Sequence, residues 1–123
     1  MEAISMSGHQ DLRDVVVILC DQLRCDFLSL YDCRAIPTPN LDRLSREGVV
    51  FNRAIAASAV CGPARASMMT GLYPTQHGVW SNDLPFRPGL RYLPECMNEL
   101  GYHTGAFGKL HHAPAPDAKG FRQ

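Results

Sequence analysis

The chain has 123 residues, enough for one small domain, and hydrophobic and charged fractions of 46% and 20% that are ordinary for a globular protein. The charges of twelve basic and twelve acidic residues cancel, so the chain has no strong electrostatic field that would indicate nucleic acid or an anionic membrane as a partner. The longest apolar run, residues 15–20, is too short to span a bilayer. We therefore predict neither kind of partner.

Residues 1–13 lack the basic start and long apolar stretch of a secretory signal. This pattern predicts a flexible lead-in and a cytoplasmic location. An odd cysteine count without a C-x-x-C pair argues against a disulfide framework and a structural zinc site. The five cysteines are Cys20, Cys25, Cys33, Cys61 and Cys96.

Three segments have the composition of strands. Residues 15–19 form a β-branched and apolar run, which favours a strand buried on both faces, as in a parallel sheet. Residues 49–56 and 102–107 are the second and third predicted strands.

Helix signals lie between these segments. Thr38 is placed to cap a helix that Pro39 opens and Gly48 ends, with Leu41 and Leu44 on its inner face. A second helix is predicted from Pro63 to about Thr70, and residues 71–89 are predicted to be loop. A third helix has apolar residues spaced i, i+3, i+4, i+7, namely Leu93, Cys96, Met97 and Leu100, and ends at Gly101.

Strands that alternate with helices indicate an α/β fold, with a mainly parallel central sheet flanked by helices. Ligands of such sheets bind beyond the carboxyl ends of the strands. Reactive residues follow all three predicted strands, at 21–22, 61–65 and 109–112. The sequence therefore predicts one site at which these three groups meet.

Cys61 and Arg65 are the strongest candidates for chemistry in this set. A cysteine at a helix start lies where unpaired N–H groups favour an anion, and Arg65 is one helical turn further on. A nucleophile beside a guanidinium suits acyl, phosphoryl or sulfuryl transfer. The alternative, a buried structural cysteine, remains open on this evidence alone.

Residues 61–65, CGPAR, match the C-x-P-x-R pattern of the sulfatase family, whose cysteine is oxidised to formylglycine after translation. Other blocks resemble family sequence in the same order, so that the resemblance covers roughly residues 14–112. These blocks are 21–24 (DQLR), 38–44 (TPNLDRL), 48–51 (GVVF), 69–74 (MTGLYP) with 77–79 (HGV), and 101–102 (GY) leading to 108–111 (GKLH).

The resemblance implies the N-terminal part of an alkaline-phosphatase-like fold. Residues 14–123 would be the first portion of a sulfatase catalytic domain, with the C-terminal remainder absent. Family members are several times longer and carry further metal ligands downstream. We therefore expect the isolated chain to be an incomplete, inactive fragment of marginal stability.

The resemblance also implies roles for single residues. Asp21 would be a ligand of a divalent cation, which is usually calcium in sulfatases, and a formylglycine-generating enzyme would oxidise Cys61. The hydrated aldehyde would bind the metal with one oxygen and attack sulfur with the other, which would expel the alcohol. The remaining hydroxyl would then lose its proton, sulfate would leave and the aldehyde would re-form. Arg65 would steady this diol, Lys109 would contact the sulfate oxygens, and His111 would contact the diol or its leaving proton.

Two departures from the general family pattern stand out. Gln22 occupies a position where many sulfatases have a second aspartate, and Leu110 replaces a frequent aromatic residue. Both resemble a subgroup that includes choline sulfatases and phosphonate monoester or phosphodiester hydrolases. Gln22 offers only a neutral carbonyl, so it would be a weak ligand, and manganese could replace calcium.

Three hypotheses remain open from the sequence. The first is a sulfatase that hydrolyses a sulfate monoester. The second is a phosphonate monoester or phosphodiester hydrolase that uses the same modified cysteine. The third is a non-catalytic truncated remnant.

Overall fold

The computed structural model describes residues 13–111 and 120–122. Along this part of the chain, two short 3-10 turns at Cys25–Phe27 and Ser29–Tyr31 precede four α-helices. None of these helices is long and apolar enough to cross a bilayer. The helices are α1 (Pro39–Glu47), α2 (Cys61–Thr70), α3 (Pro74–His77) and α4 (Leu93–Glu99).

Helix α1 has the predicted bounds, with Thr38 at the N-cap position, Pro39 in the first turn and Gly48 at the C-cap. Its first turn is tied to the preceding loop by Ser29. The Ser29 hydroxyl accepts a hydrogen bond from the Thr38 N–H at 2.8 Å and donates one to Asp42 Oδ2 at 2.9 Å. These bonds anchor the segment between the first predicted strand and α1.

Helix α2 begins at Cys61, two residues before the predicted start at Pro63, and ends at Thr70. Gly71 follows in the left-handed conformation, with φ of 70°, which glycine adopts without steric cost. α4 ends at Glu99 rather than Leu100. Both differences lie within the usual uncertainty of helix ends.

The prediction that residues 71–89 are entirely loop is wrong, because they contain α3. Pro74 fits the first turn, and the Gln76 side chain accepts a hydrogen bond from the Tyr73 N–H at 3.0 Å. Gly78, with φ of 81°, ends this four-residue helix. The high content of proline and glycine in this segment hides the local helix signals at Pro74 and Gln76.

The core lies where α2 packs against α3 and α4. Ala66 and His77 are both fully buried, and Val79 is almost so. The Phe86 ring lies 5.1 Å from the Tyr92 ring in an edge-to-face arrangement. The core therefore supports the α2 helix that begins with Cys61.

The predicted parallel sheet is not observed, because the described residues form no regular strand. The segments predicted as strands are exposed: Ile18 is 83% exposed, Ile55 92% and Phe107 100%. On α1 the predicted inner-face residues Leu41 and Leu44 are also exposed. A strand needs backbone partners on at least one edge, and none pairs with these segments here. The sheet stays a prediction.

Candidate active site

Cys61 is the first residue of α2 and is partly buried. Its thiol donates a hydrogen bond to Asn82 Oδ1 at 3.3 Å, and the Gly62 N–H donates to the same oxygen at 2.9 Å. One amide oxygen therefore contacts both the candidate nucleophile and a backbone group at the helix start that has no partner within the helix.

The close approach of Asn82 depends on Gly62. A Cβ atom at position 62 would lie 2.9 Å from the Asn82 Cα and 3.0 Å from its Oδ1. Real Cβ atoms do not approach backbone this closely, so a side chain here would displace the loop that carries Asn82. The glycine of the CGPAR segment is thus explained by packing.

Arg65 lies one helical turn after Cys61 and is only 9% exposed. Its Nη2 lies 3.2 Å from Asp21 Oδ1, and its Nη1 donates to the Lys109 carbonyl oxygen. A buried guanidinium requires such partners, because an unpaired buried charge is costly. Arg65 therefore joins α2 to the ends of two predicted strands.

Asp21 is the second member of this cluster. Lys109 Nζ lies 2.9 Å from its Oδ2, so each carboxylate oxygen has its own cation. The hydrogen bond from Lys109, followed by that from Arg65, holds the pKa of the Asp21 carboxyl below its ordinary value. The three side chains form a compact ion-paired triad, which we call the Asp21 triad.

His111 follows Lys109 by two residues and has a strained backbone, with φ of 57°. Its Nδ1 is buried, and no hydrogen-bond partner for it is found among the described residues. Gln22 has a similarly left-handed φ of 59°. Backbone strain at non-glycine residues is concentrated at functional sites, and both positions adjoin the Asp21 triad in sequence.

The described residues do not complete a divalent cation site. They contain no group of three or more His, Cys, Asp or Glu side chains that could hold a metal ion. Both oxygens of Asp21 are engaged by cations, and Gln22 lines an open apolar cavity of about 360 Å³ with residues such as Phe27 and Leu41. A hard cation takes six or more oxygen ligands, so these residues alone do not fit it.

His77, the last residue of α3, forms a hydrogen bond with α2. Its Nδ1 accepts a hydrogen bond from the Val79 N–H at 3.1 Å, and its Nε2 lies 3.0 Å from the Ser67 hydroxyl. Burial lowers the pKa of His77, which is opposed in part by a contact with the Pro63 backbone. The neutral ring therefore links α2 to the end of α3.

The structure brings together three of the predicted site residues, Asp21, Arg65 and Lys109, although 44 and 88 positions separate Asp21 from its partners. Cys61 shares α2 with Arg65. Sequence reasoning missed Asn82, because no pattern links a loop asparagine to a cysteine 21 residues earlier. His112, which belongs to the predicted reactive group 109–112, lies outside the described residues.

The sulfatase family model matches residues 13–123. The chain is 34% identical over 94 residues to the uncharacterized sulfatase YidJ of Escherichia coli, covering 76% of this chain and 19% of that protein. It is 36% identical over 110 residues to the multifunctional alkaline phosphatase superfamily protein PehA of Trinickia caryophylli, covering 85% and 21%. An ulvan-active sulfatase of Formosa agariphila is 40% identical over 105 residues, covering 80% and 19%.

A crystal structure of yidJ from Bacteroides fragilis superposes with a TM-score of 0.59 at 31% identity, covering 69% of this chain and 21% of that one. The chain belongs to the sulfatase family of hydrolases. The fold of the matched residues is therefore alkaline-phosphatase-like. The chain spans about a fifth of the length of the curated relatives that it matches.

Proposed function

We propose that the protein is a sulfuric ester hydrolase that cleaves a sulfate monoester at Cys61. A formylglycine-generating enzyme is the proposed partner that oxidises this cysteine, and the aldehyde supplies the nucleophilic oxygen. The observation that carries the proposal is the geometry of α2. The helix begins with the CGPAR segment, and its Arg65 meets Lys109 at one carboxylate.

Arg65 is proposed to steady the hydrated aldehyde and the negative charge that develops during attack, and Lys109 is proposed to contact the sulfate oxygens. The buried guanidinium is held by the Lys109 carbonyl oxygen, so its direction is set before substrate binds. Preorganised cations in a partly desolvated site stabilise a transition state more than mobile ones do. Lys109 is 46% exposed and can reach a ligand from solution.

His111 is the proposed proton-transfer group. Its buried Nδ1 has no hydrogen-bond partner among the described residues, which suits a group whose partner is the substrate or the hydrated aldehyde. Its strained backbone conformation, with φ of 57°, supports a functional role in place of a solvated surface histidine.

The family implies a divalent metal, and we propose Asp21, Cys61 in its oxidised form and Gln22 as ligands, with calcium or manganese as the ion. Oxygen ligands beyond the described residues are needed to complete such a site. We therefore expect the isolated chain to be inactive, and residues 14–123 to be the N-terminal portion of a catalytic domain. The exposed segments 15–19, 49–56 and 102–107 would be strands of a mainly parallel central sheet.

A second candidate function is hydrolysis of phosphonate monoesters or phosphodiesters. Gln22 beside Asp21, and Leu110 between Lys109 and His111, favour the subgroup that includes these hydrolases and choline sulfatases. The similarity to the multifunctional protein PehA supports the same alternative. Both substrate classes present a tetrahedral oxyanion to Arg65 and Lys109. For location we propose the cytoplasm.

The test uses the whole gene product of the native host, because the isolated chain is expected to be inactive, with a Cys61→Ala variant as control. The protein is assayed for release of nitrophenol from an aryl sulfate, an aryl phosphonate monoester and an aryl phosphodiester. Faster turnover of the sulfate, lost in Cys61→Ala, is the expected result. Faster turnover of the phosphorus esters selects the second function. Absence of all three activities supports the non-catalytic remnant and contradicts the proposal.

A further inference from the structure

We propose that Asn98, Thr104 and Gly120 form a clamp that positions Lys109 and His111 for the reaction. The chain leaves α4 through Thr104, carries Lys109 and His111, and is bonded to α4 again at Gly120. The inference rests on the proposed function, in which Lys109 contacts the sulfate oxygens and His111 transfers a proton. It adds three positioning residues, which act on the site only through the segment that they hold.

The Thr104 hydroxyl is the centre of this clamp. It donates a hydrogen bond to Asn98 Oδ1 at 3.0 Å, and the Gly120 carbonyl oxygen lies 3.5 Å away as a second acceptor. The same hydroxyl accepts a hydrogen bond from the Arg122 N–H at 3.3 Å. A side chain at the start of the segment is therefore bonded to the chain at its end.

Asn98 joins both sides of the segment to α4. This residue lies in the last turn of α4, and its side-chain N–H group donates to the Gly120 carbonyl oxygen while its Oδ1 accepts the Thr104 hydroxyl. An amide offers donors and an acceptor on one planar group, so the two bonds fix its orientation. The separation between Thr104 and Gly120 is therefore set by a single side chain.

Gly120 packs directly on the first turn of α4. Its φ of 86° is in the left-handed region, and a Cβ atom would lie 3.0 Å from the Glu95 backbone nitrogen and 3.4 Å from the Glu95 Cα. A side chain here would be strained and would move the chain away from the helix. The close approach of the segment to α4 therefore requires glycine at this position.

Lys109 and His111 depend on such attachments for their positions. Residues 105–111 belong to no helix or strand, so no regular pattern of hydrogen bonds holds them. A segment with both ends fixed has fewer conformations than one with a free end. Within the segment, the Lys109 carbonyl oxygen is bound by Arg65, which supplies a third attachment. We expect loss of the clamp to displace both side chains, and a misplacement of about 1 Å can reduce a rate by about a hundredfold.

The first test measures local opening with trypsin, under native conditions, in the whole gene product. Trypsin cleaves after Lys109 when this segment opens and after Arg43 when α1 opens, and mass spectrometry separates the two products. In Thr104→Val, which keeps the shape of the side chain but removes the hydroxyl, cleavage after Lys109 should rise by roughly fivefold or more. Cleavage after Arg43 should not change. Thr104→Ser keeps the hydroxyl and should be cleaved like the unmodified protein.

Ser29→Ala is the matched control, because the Ser29 hydroxyl also joins a loop to a helix through several hydrogen bonds. Its partners are Thr38 and Asp42 at the start of α1, so its loss should raise cleavage after Arg43 and leave cleavage after Lys109 unchanged. Equal increases at both bonds in Thr104→Val would overturn the clamp, because the hydroxyl would then support the fold as a whole.

The second test measures kcat/KM for an aryl sulfate with the same proteins. We expect Thr104→Val to lower kcat/KM by about ten- to a hundredfold at a temperature at which it stays folded. Thr104→Ser and Ser29→Ala should retain the unmodified value. Selective cleavage after Lys109 with an unchanged kcat/KM would overturn the positioning role. Should Thr104→Val fail to fold, Gly120→Ala breaks the clamp from the other side and carries both comparisons.

Failure of the proposed function has a different signature. If the unmodified protein hydrolyses neither the aryl sulfate nor the phosphorus esters, the proposed function is wrong and the role of the clamp in catalysis is overturned with it. Cleavage after Lys109 and Arg43 does not depend on activity, so the first test still decides whether Thr104 holds the segment.

Discussion

The Asn82 side-chain oxygen lies 3.3 Å from the Cys61 sulfur, although the two residues are 21 positions apart in the sequence. The same oxygen accepts the Gly62 N–H at 2.9 Å, so one amide fixes the position of the first turn of α2. The candidate nucleophile is therefore positioned by a loop residue as well as by its own helix.

Replacement of Asn82 by alanine tests this arrangement. The substitution leaves the Gly62 N–H and the Cys61 thiol without an acceptor, so we expect the free energy of unfolding to fall by about 1–3 kcal/mol. Urea unfolding followed by circular dichroism measures this change. Asn52→Ala is the control, because Asn52 accepts only an exposed bond from Tyr31, and we expect a change within about 0.5 kcal/mol. Equal effects of the two substitutions would contradict the role of Asn82.

Gly62→Ala should be destabilising for a steric reason. The new methyl group would lie 2.9 Å from the Asn82 Cα, and overpacking of this kind costs about 1–3 kcal/mol. Gly105→Ala serves as the comparison, since a methyl group there meets only the Phe107 ring edge at 3.9 Å. Thermal unfolding of both variants gives the difference. A Gly62→Ala variant as stable as Gly105→Ala would show that the loop moves freely.

Arg65→Lys retains the charge but removes the planar group that contacts two partners at once. An ammonium cannot reach both Asp21 and the Lys109 carbonyl with the same geometry, so we expect a loss of about 1–3 kcal/mol of stability. Arg91→Lys is matched in chemistry, but its pair with Glu99 is exposed and should contribute little. Urea midpoints of the two variants make the comparison. A loss in Arg91→Lys as large as that in Arg65→Lys would be inconsistent with the buried role of Arg65.

His77 should make stability depend on pH. The folded chain holds the ring neutral because burial lowers its pKa, whereas the unfolded chain takes up a proton below about pH 6.5. The free energy of unfolding should therefore be independent of His77 above that pH and should fall as the pH drops through the lower folded pKa. His77→Gln should show a flatter profile in urea unfolding between about pH 5 and 7.

The exposed His103 provides the control for this profile, and His103→Gln should keep the slope of the unmodified chain. A slope unchanged by His77→Gln would mean that other groups carry the pH dependence. Protonation of the His77 ring would then not weaken its hydrogen bonds to Ser67 and Val79.

Local sequence signals predicted three of the four described helices, α1, α2 and α4, whereas the predicted sheet stays unconfirmed. Pro39, Gly48 and Gly71 act within one helical turn, so the ends of α1 and α2 follow from the residues next to them. A strand depends on partners remote in sequence, and the run at 15–19 has none among the described residues. Its β-branched composition therefore predicts a buried sheet that the described residues do not form.

The candidate site was predictable only in part. The rule that strand ends converge predicted that Asp21, Arg65 and Lys109 would meet, and they do. It did not predict that the two cations would saturate Asp21, because charge pairing depends on ångström distances that a pattern does not contain. The contact between Asn82 and Cys61 had no local signal.

The central claim is that Cys61 is the residue oxidised to formylglycine, and mass spectrometry of the tryptic peptide 54–65 tests it most directly. The peptide is taken from protein made in its native host, with another sulfatase of that host as the reference. We predict that Cys61 appears as the aldehyde or its hydrate. An unmodified thiol at Cys61, in a host that converts the cysteine of the reference sulfatase, would contradict the account and favour the non-catalytic remnant.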